Sequence, residues 1–198
     1  MLSEKQKDAI TEIVNIGVGK GSATLSQMLN EEIILNVPYA NVISFDKVLL
    51  EFEDLHVKQV HAVEMQFRGE YQGLANVILS TDSASHLAAV LTGLSTDSPD
   101  LIQMKDGVIT EVGNIILNAV MGSFGNILAV PFEYNIPQSF EGDISDLYHH
   151  LDQEKYSQVL ICRTNFTIKD RNIEGEILIM YEIGSFNKLK DLLDTMID

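Results

Sequence analysis

The chain repeats itself. Residues Ile10 to Pro38 align without a gap on Ile109 to Pro137, an offset of 99 in a chain of 198 residues. Under that offset Thr11 meets Thr110, Glu12 meets Glu111, Asn15 meets Asn114, Ile16 meets Ile115, Leu29 meets Leu128, Asn36 meets Asn135 and Pro38 meets Pro137. Further on, Gly73 to Leu91 corresponds to Gly175 to Leu193 at offset 102, so the second copy carries a small net insertion. Self-similarity at a fixed period constrains a fold more than any local propensity does. The expected architecture is α+β: one domain of two internal repeats, about 1–94 and 100–198, related by a pseudo-two-fold and joined at Ser95-Thr-Asp-Ser-Pro-Asp100.

Each half reads as a long helix, a strand, a hairpin and a closing helix. Ser3 followed three residues on by Gln6 is a capping box, and Ile10, Ile13, Val14, Gly17, Gly21, Leu25 and Met28 then recur at helical spacing, which predicts a helix over Glu4–Leu29. Val42–Phe52 reads as strand, and Val60–Arg68 with Gln72–Ser80 as a hairpin around Gly69-Glu70. Asp82 is expected to cap a short helix ending at Gly93. In the second half a helix is expected over Leu101–Leu128, strands over Ser157–Ile168 and Ile177–Ile183, and a last helix capped by Ser185. Asp143–Lys155 gives no clear signal. Strands joined by short turns imply an antiparallel sheet with helices layered on it, two of them long.

At about 100° per residue, Ile10, Ile13, Val14, Gly17, Gly21, Leu25 and Met28 share one stripe of the first helix, which should face the core. Asp8, Glu12, Asn15, Gly19 and Ser22 fall on the other side. Glu111 and Asn114 occupy the same two angles on the second long helix, with Gly107, Asn118 and Gly125 near them. A single exposed Glu-x-x-Asn is ordinarily a solvated face. Its recurrence is not, because exposed polar residues have no packing role that demands identity in both copies, and Asn contributes little in mid-helix. A carboxamide, with a donor and an acceptor on one rigid group, can hold a water in line with an electrophile. The carboxylate beside it can anchor a cation.

The pattern Asp8-x3-Glu12-x2-Asn15-x22-Pro38 resembles the signature of the CheC/CheX/FliY family of response-regulator phosphatases: Asp or Ser, then Glu, Asn and Pro at those spacings. The second half repeats it as Glu111-x2-Asn114-x22-Pro137, with Gly107 at the Asp or Ser position. Two motifs in one chain of this length are similar to the CheC type rather than to single-site CheX or longer FliY. The resemblance implies removal of the phosphoryl group from the aspartyl phosphate of a CheY-type regulator. Asn15 and Asn114 would orient the attacking water, and Glu12 and Glu111 would pair with a lysine of the regulator. Mg2+ would come from the regulator, with no cofactor of the chain's own, and the deamidase CheD is an implied second partner. A non-catalytic adaptor for CheD or the flagellar switch is the alternative reading. Pro38 and Pro137 would end a loop and set the next strand. Gly107 makes the first site the expected stronger one.

Composition narrows the rest. Thirteen basic against 29 acidic side chains give a formal charge of −16, which argues against nucleic acid and anionic membranes as partners. Apolar runs are interrupted before the ~20 residues of a bilayer span, and the charged N-terminus is unlike a signal peptide. Cys162, alone, can form no intrachain disulfide and sits in an apolar run, so a reducing cytoplasm and an inert thiol are expected. Internal duplication makes a monomer the expectation. Gly17-Val-Gly-Lys20-Gly21-Ser22 is no phosphate loop, because Gly21 separates Lys20 from Ser22 and the glycines lie inside a helical pattern. His56 with His61, and His149 with His150, lack the partners of a metal site, and no serine-hydrolase elbow is present.

Overall fold

A computed structural model describes residues 2–54, 58–149, 155–168 and 171–197. The chain runs α1 (Glu4–Leu29), β1 (Ile33–Ser44), a 3-10 turn, α2 (Val48–Asp54), β2 (Gln59–Gly69), β3 (Gly73–Ser80), α3 (Thr81–Thr92) and α4 (Pro99–Leu128). It continues with β4 (Phe132–Tyr134), β5 (Gln138–Asp143), α5 (Ile144–His149), β6 (Tyr156–Ile168), β7 (Arg171–Glu182) and α6 (Ile183–Ile197). All strand pairings are antiparallel, in the order β1-β6-β7-β3-β2-β4, with β5 also on β2. The expected α+β class, with an antiparallel sheet and two long helices, is what the structure has.

That order is symmetric about the β7–β3 pair. The strands before residue 95 lie at positions one, four and five, and those after it at two, three and six, so each half's hairpin is flanked by the other half's first strand. One face of the sheet is covered by α1, α3, α4 and α6, with Ile10, Val14, Val112, Ile116, Phe124 and Leu189 in its core. The opposite face is covered by the short α2 and α5, through Val48, Phe52, Leu147 and Tyr148.

Helix α1 begins at the expected capping box: the Gln6 N–H donates to Ser3 Oγ at 3.3 Å, and the Ser3 N–H donates to Gln6 Oε1 at 2.7 Å. Both long helices stop at equivalent residues, Asn30 (φ 52°) and Ala129 (φ 54°), each left-handed. The helices pack on each other through Gly17 and Gly21. A Cβ on Gly17 would lie 2.5 Å from Val120 Cα, and one on Gly21 would lie 3.4 Å from Ile116 Cα. Ile116 and Val120 are themselves the counterparts of Gly17 and Gly21, so one helix supplies the gaps and the other the branched side chains that fill them. Both glycines thus lie on the core-facing stripe, as expected.

Several expectations need correction. Val42–Phe52 is not one strand: β1 ends at Ser44, and Val48 and Phe52, four apart, turn one helical face to the core. α3 is capped by Ser80, whose Oγ accepts from the Ser83 N–H, and Asp82 lies in the first turn. Ser185 lies inside α6 and its Oγ accepts from the Gln72 N–H. Met28 is exposed, whereas Ser22 is buried, its hydroxyl donating to the Ile33 carbonyl. Pro38 stands within β1, where the pairing to β6 shifts register between Asn36 and Tyr39, and does not end a loop. α4 is long and apolar enough, by length and composition, to cross a bilayer, which its interrupted sequence concealed; half of that stretch is buried in the protein. Cys162 is fully buried, and desolvation raises its thiol pKa, as expected of an inert core residue. His56 and His150 lie outside the described residues.

Candidate functional site

The two motifs lie on α1 and α4, the helices that pack on each other. Glu12 and Glu111 are exposed, and Asn15 and Asn114 are half-buried. Three residues of helix separate each Glu from its Asn, which puts the pair on one face about 4.5 Å apart along the axis. The motifs diverge in what surrounds them.

At the first site the Asn15 carboxamide is bonded through both its nitrogen and its oxygen to one peptide. Its Nδ2 donates to the Val37 carbonyl at 3.1 Å, and its Oδ1 accepts from the Val37 N–H at 2.9 Å. Val37 precedes Pro38 and has its side chain in the core, 3% exposed. This doubly bonded side chain spans the register shift in β1 and satisfies backbone groups that the ladder does not pair there. It gives a structural reason for the spacing from Asn15 to Pro38. Asp8, Thr11, Pro38 and Asn41 line a polar depression of about 360 Å3, with Lys7 held by Glu4 at 2.7 Å on its edge.

At the second site that link is missing. The counterpart of Val37 is Ile136, which points outward and is 88% exposed, in the break between β4 and β5. Asn135 is tied instead to β2: its N–H donates to the Gln66 carbonyl at 3.0 Å and its Nδ2 to Gln66 Oε1 at 2.9 Å. Among the described residues the Asn114 side chain is bonded to Asn118 alone, whose Nδ2 donates to the Asn114 Oδ1 at 2.6 Å and to its carbonyl at 2.8 Å. The Asn114 Nδ2 has no acceptor among the described residues. Pro137 is half-buried, and a Cβ at Gly107 would meet nothing. Gly125 is covered by its own chain, with Val130 O 3.0 Å from a would-be Cβ.

One cluster beneath the second site has no signal in the sequence. His61, wholly buried in β2, places Nε2 3.3 Å from Asp106 Oδ1 and 3.2 Å from Ser139 Oγ, with Glu141 Oε2 3.8 Å from Nδ1. Ser139 also donates to Asp106, and Lys105 pairs with Glu141 at 2.5 Å. Burial lowers the His61 pKa, against the pull of Glu141 and Asp106. The cluster fastens the first turns of α4 to the edge strand β5, immediately before Gly107. Among the described residues no three His, Cys, Asp or Glu side chains are grouped to hold a metal.

No protein-family model matches the chain. CheY-P phosphatase CheC of Bacillus subtilis is 24% identical over 196 residues, spanning 95% of this chain and 93% of that one. The flagellar motor switch phosphatase FliY of the same organism is 22% identical over 200 residues, all of this chain and 50% of that longer relative. Among solved structures, Thermotoga maritima FliY superimposes with a TM-score of 0.76 at 18% identity, covering 98% of each chain. The FliM middle domain of H. pylori gives 0.65 at 12% identity, covering 96% of this chain and 99% of that one. The CheX–CheY–BeF3–Mg2+ complex of Borrelia burgdorferi gives 0.56 at 18% identity, covering 87% and 99%. With the Glu-x-x-Asn motif present twice and a CheC matched over nearly the whole of both chains, the chain is similar throughout to the CheC-type chemotaxis phosphatases.

Proposed function

We propose that the chain hydrolyses the aspartyl phosphate of a CheY-type response regulator, with α4 as its working helix. The observation that carries this is the second site: an exposed Glu111 and, one turn on, an Asn114 whose amide donor is uncommitted. Glu111 would pair with a lysine beside the regulator's phosphorylated Asp and fix the docking. Asn114 would then enter the regulator's site and hold a water in line with phosphorus. Attack forms the new P–O bond as the bond from phosphorus to the aspartyl oxygen breaks, leaving inorganic phosphate and a free Asp carboxylate. Such a reaction needs positioning and charge neutralisation more than covalent help, and the Mg2+ belongs to the regulator. Asp8, Glu12 and Asn15 form the equivalent set on α1, but Asn15 has to release two hydrogen bonds to Val37 before it can act.

That restraint favours a second reading for the first site alone, as a non-catalytic platform for a partner such as CheD or the flagellar switch. The chain would work as a monomer, in the cytoplasm with its regulator. The test is phosphate loss from a labelled regulator. Asn15→Ala with Asn114→Ala should abolish it while binding persists, and full retained activity would sink the assignment.

A further inference from the structure

The second site has one more feature that the reaction does not use. An apolar groove of about 500 Å3 runs beside Glu111, between the end of α1, the end of α3 and the first turns of α4. Leu29, Leu91, Val108 and Ile115 form its walls, and Met28 and Met104 stand at its rim, 58% and 51% exposed. Such a patch on a chain of charge −16 is costly in water and marks a contact surface. Methionine at a rim suits one, since its side chain adapts to the shape it meets. Glu111 is the only charged residue among those lining the groove.

At the first site, positions that match the groove's lining carry charge. The counterpart of Met104 is Lys5, that of Gly107 is Asp8, and that of Thr92 is Asp194, whose carboxylate accepts from Gln6 at 2.6 Å. Gly107 itself stands exposed at the groove's edge, where a Cβ would meet nothing.

We infer that this groove receives an apolar side chain of the same regulator whose lysine sits on Glu111, so that the second site grips its substrate by one ion pair and one buried hydrophobic contact. The inference rests on the proposed function, and it commits to the regulator because Glu111 belongs to both surfaces. A ligand seated on that carboxylate already lies over the groove. Cationic and apolar groups side by side are the complement of what the chain presents.

The test uses the full chain carrying 13C-methyl methionine and the CheY-type regulator of the same cell, activated with beryllofluoride. The Met28 and Met104 methyl resonances should shift on addition of the regulator, and those of buried Met65, Met121 and Met180 should not. Met28→Ser with Met104→Ser should raise KM for the phosphorylated regulator about tenfold and leave kcat unchanged, the reverse of Asn114→Ala, which should lower kcat alone. Unshifted methyls with an unchanged KM, while Asn114→Ala still abolishes turnover, would overturn the groove and leave the function standing. Methyl shifts that follow the concentration of this chain alone would overturn it in favour of a second copy. Failure of the unmutated chain to bind or hydrolyse the regulator would remove both.

Discussion

The α1 and α4 sites carry the same Glu and Asn and hold them in different surroundings. On α1 the carboxamide is bonded on both sides to the Val37 peptide, and the adjoining depression is polar. On α4 the carboxamide keeps its donors, the residue matching Val37 is turned out to solvent, and the adjoining groove is apolar. Identity of a side chain is therefore no guide to identity of its work; what its neighbours leave unbonded decides. The difference reaches into the sheet. Leu74 of β3 is matched by Glu176 of β7, so one half buries a carboxyl where the other buries an aliphatic chain.

The sharpest way to break this comparison is to remove each Asn alone. Asn114→Ala should lower phosphate release from the regulator by about 100- to 1000-fold, and Asn15→Ala by no more than about threefold at a temperature where the variant is folded. This reverses the order that Gly107 alone suggests, and equal losses would dissolve the asymmetry.

Acidity offers the next test. Burial pushes the Glu176 carboxyl up to about 7 from its ordinary 4.5, with the Arg163 guanidinium opposing. As pH rises, the unfolded chain releases this proton first, so between those values the native state holds the more protons and stability falls, by up to about 3 kcal/mol, then levels. Urea titrations from pH 4.5 to 8 should show that slope, and Glu176→Leu, which copies the other half, should flatten it.

Asn15→Ala should cost about 1–3 kcal/mol of stability through the orphaned Val37 peptide, whereas Asn114→Ala should stay within about 0.5 kcal/mol. Denaturant midpoints compare the two directly. The two glycines should respond with opposite signs. Gly17→Ala should destabilise by about 1–3 kcal/mol, because its Cβ meets helix backbone. Gly107→Ala should stabilise by about 0.5–1 kcal/mol, because its Cβ meets nothing. Similar shifts in thermal midpoint from both would contradict the packing described.

What could be read in the sequence was whatever depends on a residue and its near neighbours. The Ser3 capping box, the buried stripe from Ile10 to Leu25 and the hairpin at Gly69 all have local periodicity behind them. β5 had none: Gln138 to Asp143 is a polar edge strand with no alternating apolar residues. Ser80, Thr81, Asp82 and Ser83 are all capable caps or first-turn residues, and only the hydrogen bond to Ser83 decides among them. The positions of Glu12, Asn15, Glu111 and Asn114 on their helices followed from angle alone. That Asn15 is tied to Val37 did not, because the bond closes across a loop and depends on a register shift set by β6. Likewise the groove needed three helix ends brought together from distant parts of the chain.

The exchange of first strands between the halves has a cost during synthesis. β1 finds its partner only in β6, where Ile33 meets Ile168, and β4 and β5 find theirs in β2, made long before. A ribosome therefore delivers one half with its edge unpaired, and the sheet closes only when most of the chain has emerged. Pairings so remote in sequence fold slowly and leave apolar strands open in the interval. Cutting the connection between α3 and α4 would yield two fragments that need each other, not two small proteins.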